Sequence, residues 1–172
     1  MRMRALFVLS ALAAGAAACA TVETAAPVAV SEPAPPAAGS PSPVDGYDWF
    51  YSPDEDTARL AYGLAESDDL KLGLDCGRGT GRVEMVAIAE KGAKAEIHVE
   101  SGGDTERFSA ASEPSQLNDG VILTASASTA EPVFQRFRRV GWMALWRDGE
   151  REAYAPQPGS GPNIERFFAF CG

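Results

Sequence analysis

From Tyr47 onward, hydrophobic and polar positions alternate in short runs separated by turn-forming clusters. Tyr47-Asp48-Trp49-Phe50-Tyr51 reads as an aromatic strand. Ser52-Pro53-Asp54-Glu55 has the form of a helix start, with an N-cap, Pro at N1 and Glu at N3. Leu60, Tyr62 and Leu64, however, alternate with Arg59, Ala61 and Gly63, and Gly63 would weaken a helix interior, so the alternation predicts a strand. Leu70, Leu72, Leu74 and Cys76 line one face of a third strand, and Gly77–Gly81 joins it to a fourth from Arg82 to Ala89. Ala95, Ile97 and Val99 alternate with Lys94, Glu96 and His98, and Ser101-Gly102-Gly103-Asp104 is a hairpin signal into a strand around Phe108. Asn118-Asp119-Gly120 turns the chain into the run of Val121, Leu123 and Ala125.

Near Glu131-Pro132 the period changes. Val133, Phe134, Phe137 and Val140 fall at helical spacing, which predicts a helix fixed by those four residues and ended by Gly141. Trp142 to Arg147 follows as a strand apolar on both faces, and Asp148-Gly149 turns it into Arg151–Ala155. Asn163 is expected to cap a last short helix that turns Ile164, Phe167 and Phe168 inward and carries Cys171 at its end. The predicted fold leans all-β: an antiparallel β-sandwich or small barrel with two short helices, one domain over 47–172, after a disordered tether.

The upstream residues follow a different pattern. Arg2 and Arg4 precede an apolar run from Ala5 to Ala18, which ends in Ala16-Ala17-Ala18-Cys19. A positive start, a short apolar stretch and small residues before a cleavage point describe a secretory signal peptide over 1–18. Such a run is too short to span a bilayer core of about 30 Å as a stable helix. Ala17, Ala18 and Cys19 resemble the lipobox of bacterial lipoproteins, with Ala16 where Leu is usual. The resemblance implies acylation of Cys19 as the mature N-terminus and, because Ala20 is not Asp, attachment to the outer membrane with the domain in the periplasm. Cleavage after Ala20, with Ala18-Cys19-Ala20 as the recognition site, is the alternative. Residues 19–46 hold Pro27, Pro33, Pro35, Pro36, Pro41 and Pro43 among Ala, Val and Ser without apolar periodicity, a composition for a spacer of roughly 80 Å at about 3.1 Å per residue.

Charge narrows the partners. The formal net charge is −9, and loss of Arg2 and Arg4 with the signal leaves −11. Nucleic acid is excluded, because phosphate neutralisation needs clustered Lys and Arg. With Cys19 set aside, Cys76 and Cys171 remain as a pair, and export predicts a disulfide between them.

Chemistry-bearing motifs are sparse. Gly77–Gly81 lacks the Walker pattern, and Gly159-Ser160-Gly161 lacks the spacing of a nucleophile elbow. His98 is the only histidine, and its alternation with Ile97 and Val99 places it on a solvated strand face, which argues against a catalytic role. Asp54, Glu55 and Asp56 lack calcium-loop spacing and read as a solvated acidic turn. No metal or cofactor site is expected. Arg136, Arg138 and Arg139 are the main basic concentration and a candidate partner surface, expected to point outward from the first helix. Trp49, Trp142 and Trp146 are core candidates, although exposed tryptophans could stack on sugar rings. Thr124-Ala125-Ser126-Ala127-Ser128 resembles in part the Ser-rich inhibitory segment of envelope lysozyme inhibitors, but Thr129 and Ala130 replace the Gly and Tyr that follow it there. The expectation from all of this is a non-catalytic envelope lipoprotein that binds a protein or glycan partner. A lysozyme inhibitor, or a hydrolase whose site is assembled from distant residues, is the alternative.

Overall fold

The computed structural model describes residues 39–116 and 118–172. The expected signal segment, Cys19 and most of the expected tether lie outside the described residues. Ten strands and two helices follow in the order β1 (Tyr47–Pro53), β2 (Thr57–Leu64), β3 (Leu70–Gly77), β4 (Arg82–Ala89), β5 (Glu96–Ser101), β6 (Asp104–Ser109), β7 (Ala111–Pro114), β8 (Val121–Ser128), α1 (Pro132–Val140), β9 (Met143–Arg147), β10 (Glu150–Tyr154) and α2 (Gly161–Cys171). A six-stranded sheet runs β1-β2-β3-β4-β8-β7, and a four-stranded sheet runs β10-β9-β5-β6. Every pairing is antiparallel. The architecture is the all-β, sandwich-like fold that the alternation predicts.

One apolar core lies between the sheets and takes in both helices. Leu60, Leu72, Leu74 and Met85 come from the larger sheet, Val99, Met143 and Leu145 from the smaller, and Phe134, Phe137, Phe167 and Phe168 from the helices. Trp49 is fully buried; its indole N–H donates to the Tyr154 carbonyl at 3.2 Å and so ties the two sheets together. Its ring packs 4.9 Å from Phe137 and 5.3 Å from Tyr62. Burial of such side chains contributes roughly 1.5–3 kcal/mol each and dominates the fold's stability.

Three details differ from the sequence reading. The strand around Phe108 is two strands: β6 pairs with β5, the chain changes sheets at Ala110, and β7 pairs with β8. Such a switch turns the corner of a sandwich, and no hydrophobic period marks it. Val140 is 37 % exposed, so only Val133, Phe134 and Phe137 fix α1. Gly141 ends that helix as expected, its N–H bonded to the Phe137 carbonyl. Asn163 is not the cap of α2. Ser160 holds the N-cap position, and the Asn163 amide donates instead to the Trp49 carbonyl at 2.9 Å.

That last contact belongs to an edge cover. Asp48 Oδ1 accepts the backbone N–H of Gln157 at 2.9 Å and lies 2.6 Å from Ser160 Oγ. The Gln157 amide donates to the Val44 and Tyr47 carbonyls. The outer edge of β1 is thereby occupied by the segment that leads into α2, which removes an exposed strand edge. At the other end of α2, Cys171 and Cys76 sit with sulfurs 2.05 Å apart and Cα atoms 5.7 Å apart, within disulfide geometry.

Candidate binding cleft

A cleft of about 1260 Å³ opens at one end of the domain. Its walls are the β4–β5 connection, residues 118–120 and the β9–β10 turn, and it extends to His98, Thr105 and Trp146 of the smaller sheet. Local chemistry builds these walls. Asp148 and Gly149 both take positive φ, 49° and 85°, the two-residue hairpin geometry that Asp-Gly favours. Asn118 Oδ1 accepts the Gly120 N–H at 2.9 Å, an Asx turn. A Cβ at Gly120 would lie 2.4 Å from the Ala89 carbonyl, so only glycine lets this turn press against the end of β4.

The register of the smaller sheet sets the side chains that reach the cleft. Trp146 pairs across the strands with His98 on one side and with Arg151 on the other. Ala144 pairs with Glu100, which places Glu100 diagonally beside Trp146 on the face turned away from the core. There Trp146 Nε1 donates to Glu100 Oε2 at 2.7 Å. Arg151 grips the same carboxylate with two bonds, at 2.8 and 2.9 Å. The Glu100 side chain is only 9 % exposed. The Arg151 guanidinium lies 5.2 Å over the Trp142 ring, which packs with Ala144 and Ala155 in a small apolar cluster of its own. Hydrogen bonding from Arg151 chiefly, and then from Trp146, holds the Glu100 carboxyl below its ordinary pKa against the opposing effect of burial. The Arg151 guanidinium is raised by the same contact.

His98 lies on the face turned away from the core, as its alternation predicts, but is half-buried there. Its side chain is 22 % exposed, and Nε2 lies 3.1 Å from Glu96 Oε1 without the alignment of a hydrogen bond. The flanking loops and Trp146 enclose a position that strand alternation alone leaves open to water.

The three arginines do not form a common patch. Arg136 is 14 % exposed and turned inward; it donates to the Ser101 and Asp104 carbonyls and to Glu106 at 3.0 Å, clamping the β5–β6 hairpin onto α1. Alternation hides this because the acceptors are backbone carbonyls some thirty residues upstream. Arg138 pairs with Glu165 at 3.0 Å and lies over the Phe168 ring, joining α1 to α2. Arg139 is exposed, with no ion pair among the described residues.

The remaining motifs are also placed. Gly77–Gly81 donates two backbone N–H groups, from Gly79 and Gly81, to the Phe170 and Cys171 carbonyls at the C-terminal end of α2, so they are not directed at an anion. The Asp54–Asp56 turn presents its carbonyls to Arg78. Thr124–Ser128 lies inside β8, with Ala125 and Ala127 in the core. Among the described residues no group of three His, Cys, Asp or Glu is placed to share a metal ion, and no helix is long and apolar enough to cross a membrane.

The sequence reading missed the Glu100–Trp146–Arg151 constellation. Part of it was accessible: a two-residue Asp-Gly turn necessarily sets Trp146 opposite Arg151. Glu100 joins through β5, which no local signal reports. No family model, curated protein or solved structure matches the chain.

Proposed function

We propose that this chain is an exported, lipid-anchored binding protein of the cell envelope whose cleft holds a saccharide segment of an envelope glycan. The observation that carries the reading is the placement of the three tryptophans. Trp49 and Trp142 are buried, whereas Trp146 is half-buried and lines the cleft. Its ring orientation is fixed by the bond from its N–H to Glu100. A held aromatic surface beside carboxylates, an amide and ammonium groups suits a ligand with apolar ring faces and many hydroxyls.

Anchoring at Cys19 is part of the proposal and rests on the lipobox resemblance. Mass spectrometry of the mature N-terminus should find an acylated Cys19, and a start at Thr21 would exclude the anchor. For the cleft, the protein is titrated with solubilised envelope glycan by calorimetry. Trp146→Ala should abolish binding while the circular dichroism spectrum is kept. Binding that survives Trp146→Ala would place the ligand elsewhere.

A further inference from the structure

On the premise that the cleft is a saccharide site, we propose that its ligand is cationic: an oligosaccharide of amino sugars with free ammonium groups. Three observations converge. The first is size. At about 1260 Å³ the cleft has room for several sugar rings.

The second is charge. Glu90, Asp119, Asp148 and Glu150 line the cleft against Lys91, Lys94 and Arg147, while Glu96 is taken up by His98 at 3.1 Å and Arg107 at 4.0 Å. Arg147 is already held by Glu152 at 3.0 Å and by the Lys71 carbonyl. The lysines are thus outnumbered, in a protein of net charge −9. An anionic glycan meets repulsion here and a cationic one attraction.

The third is the state of Trp146. Its N–H is committed to Glu100, so the indole has no donor left to offer a sugar hydroxyl. What remains is the π face, whose quadrupole attracts cations, and a carboxylate on the N–H adds electron density to that ring. Arg151 holds the same carboxylate through both of its oxygens and so keeps Glu100 in place beneath the indole N–H.

The test compares the glucosamine trimer with the N-acetylglucosamine trimer, which share a backbone and differ in charge. Each is titrated into the full-length protein at low and at high salt. The glucosamine trimer is expected to bind about five- to tenfold more tightly at low salt, and the gap should close at high salt, where exposed charges are screened. Asp148→Asn with Glu150→Gln, both at exposed positions of the hairpin tip, should weaken the glucosamine trimer about threefold and the acetylated trimer less. Asn tolerates the positive φ of residue 148, so this variant keeps the turn. Equal affinity for the two trimers, or a preference for the acetylated one, overturns the cationic ligand and leaves the saccharide reading intact. No binding of either trimer overturns both. Trilysine binding as tightly as the glucosamine trimer, and equally well to Trp146→Ala, also overturns the proposal, because the cleft would then be a plain acidic surface.

Discussion

Where β3 runs into β4, backbone meets backbone. Gly79 and Gly81 donate to the last carbonyls of α2 at 3.0 and 2.8 Å, Thr129 donates to the Gly81 carbonyl at 2.9 Å, and Cys76 and Cys171 fix the same helix end to the sheet. Arg78 covers the join, stacked 4.1 Å over Phe170. At the opposite end, where β4 runs into β5, the loops bond mainly to themselves. Asn118 turns onto Gly120, Ala93 bonds back to Glu90, and the Asp148-Gly149 tip reaches outward. Between these loops lies the cleft. The backbone stitching and the disulfide are concentrated at one end, and the other end is built of turns that bond mainly within themselves. A domain divided in this way can vary its cleft without unfolding.

Four experiments would break or sharpen that division. The largest effect is expected from the stitched end. Replacing Cys76 and Cys171 by Ser opens a loop spanning 95 residues and should cost about 2–5 kcal/mol, a fall in Tm of roughly 10–20 °C by scanning calorimetry. A shift of only a few degrees would mean that the backbone contacts to α2 suffice alone.

Glu100 comes next, because it lies near the cleft yet is buried. Glu100→Ala strands the Arg151 guanidinium and the Trp146 N–H and should cost about 2–3 kcal/mol by urea denaturation. Its carboxyl is held below the ordinary value, so the folded state binds its proton less readily than the unfolded state. The stabilisation is therefore complete above the unfolded value of about 4.3 and is lost as pH falls through the folded value. Glu100→Gln should remove this acid-limb dependence. An unchanged acid limb would show that the ion pair adds nothing to stability.

The arginines of α1 give a smaller contrast. Arg136→Ala should cost about 1–2 kcal/mol through its lost carbonyl and carboxylate partners, and Arg139→Ser should stay within about 0.5 kcal/mol. Equal effects would contradict the different surroundings described for the two side chains. The smallest effect is expected at the cleft rim: Asp148→Asn with Glu150→Gln should leave the urea midpoint almost unmoved. A large loss there would assign the rim a structural role and blur the distinction between the ends.

The same division bears on what the sequence made legible. Strand alternation located β1 to β5 and β8, because each buries one face and the period of two is direct evidence of that, whereas β9 and β10 were marked by an apolar run and the Asp148-Gly149 turn between them. The helical spacing of Val133, Phe134 and Phe137 located α1 for the same reason. Apart from the Cys76–Cys171 bridge, the long-range contacts were not legible. Arg136 and Arg139 look alike in sequence, and only the return of β5–β6 beneath α1 separates them. His98 alternates like a solvated residue and is enclosed by loops that carry no period. Glu100 sits at a polar position of β5 and becomes a buried anchor only because β9 and β10 bring it an indole and a guanidinium from 46 and 51 residues downstream. Burial patterns are local and report which face turns inward. Polar constellations depend on which strands become neighbours, and that follows from the fold as a whole.

The edge cover on β1 has a kinetic consequence. Asp48 bonds to Gln157 and Ser160 across separations of 109 and 112 residues, so the first strand of the domain is completed by nearly its last segment. Loops of that length close slowly, and contacts of this range lower folding rates. Until α2 docks, β1 presents an open edge with Trp49 beside it, the kind of surface on which chains pair with one another. The interval between emergence of β1 and arrival of α2 is then the period of greatest aggregation risk. Refolding yield should fall with rising protein concentration more steeply for Asp48→Ala than for the unaltered chain, as measured by light scattering.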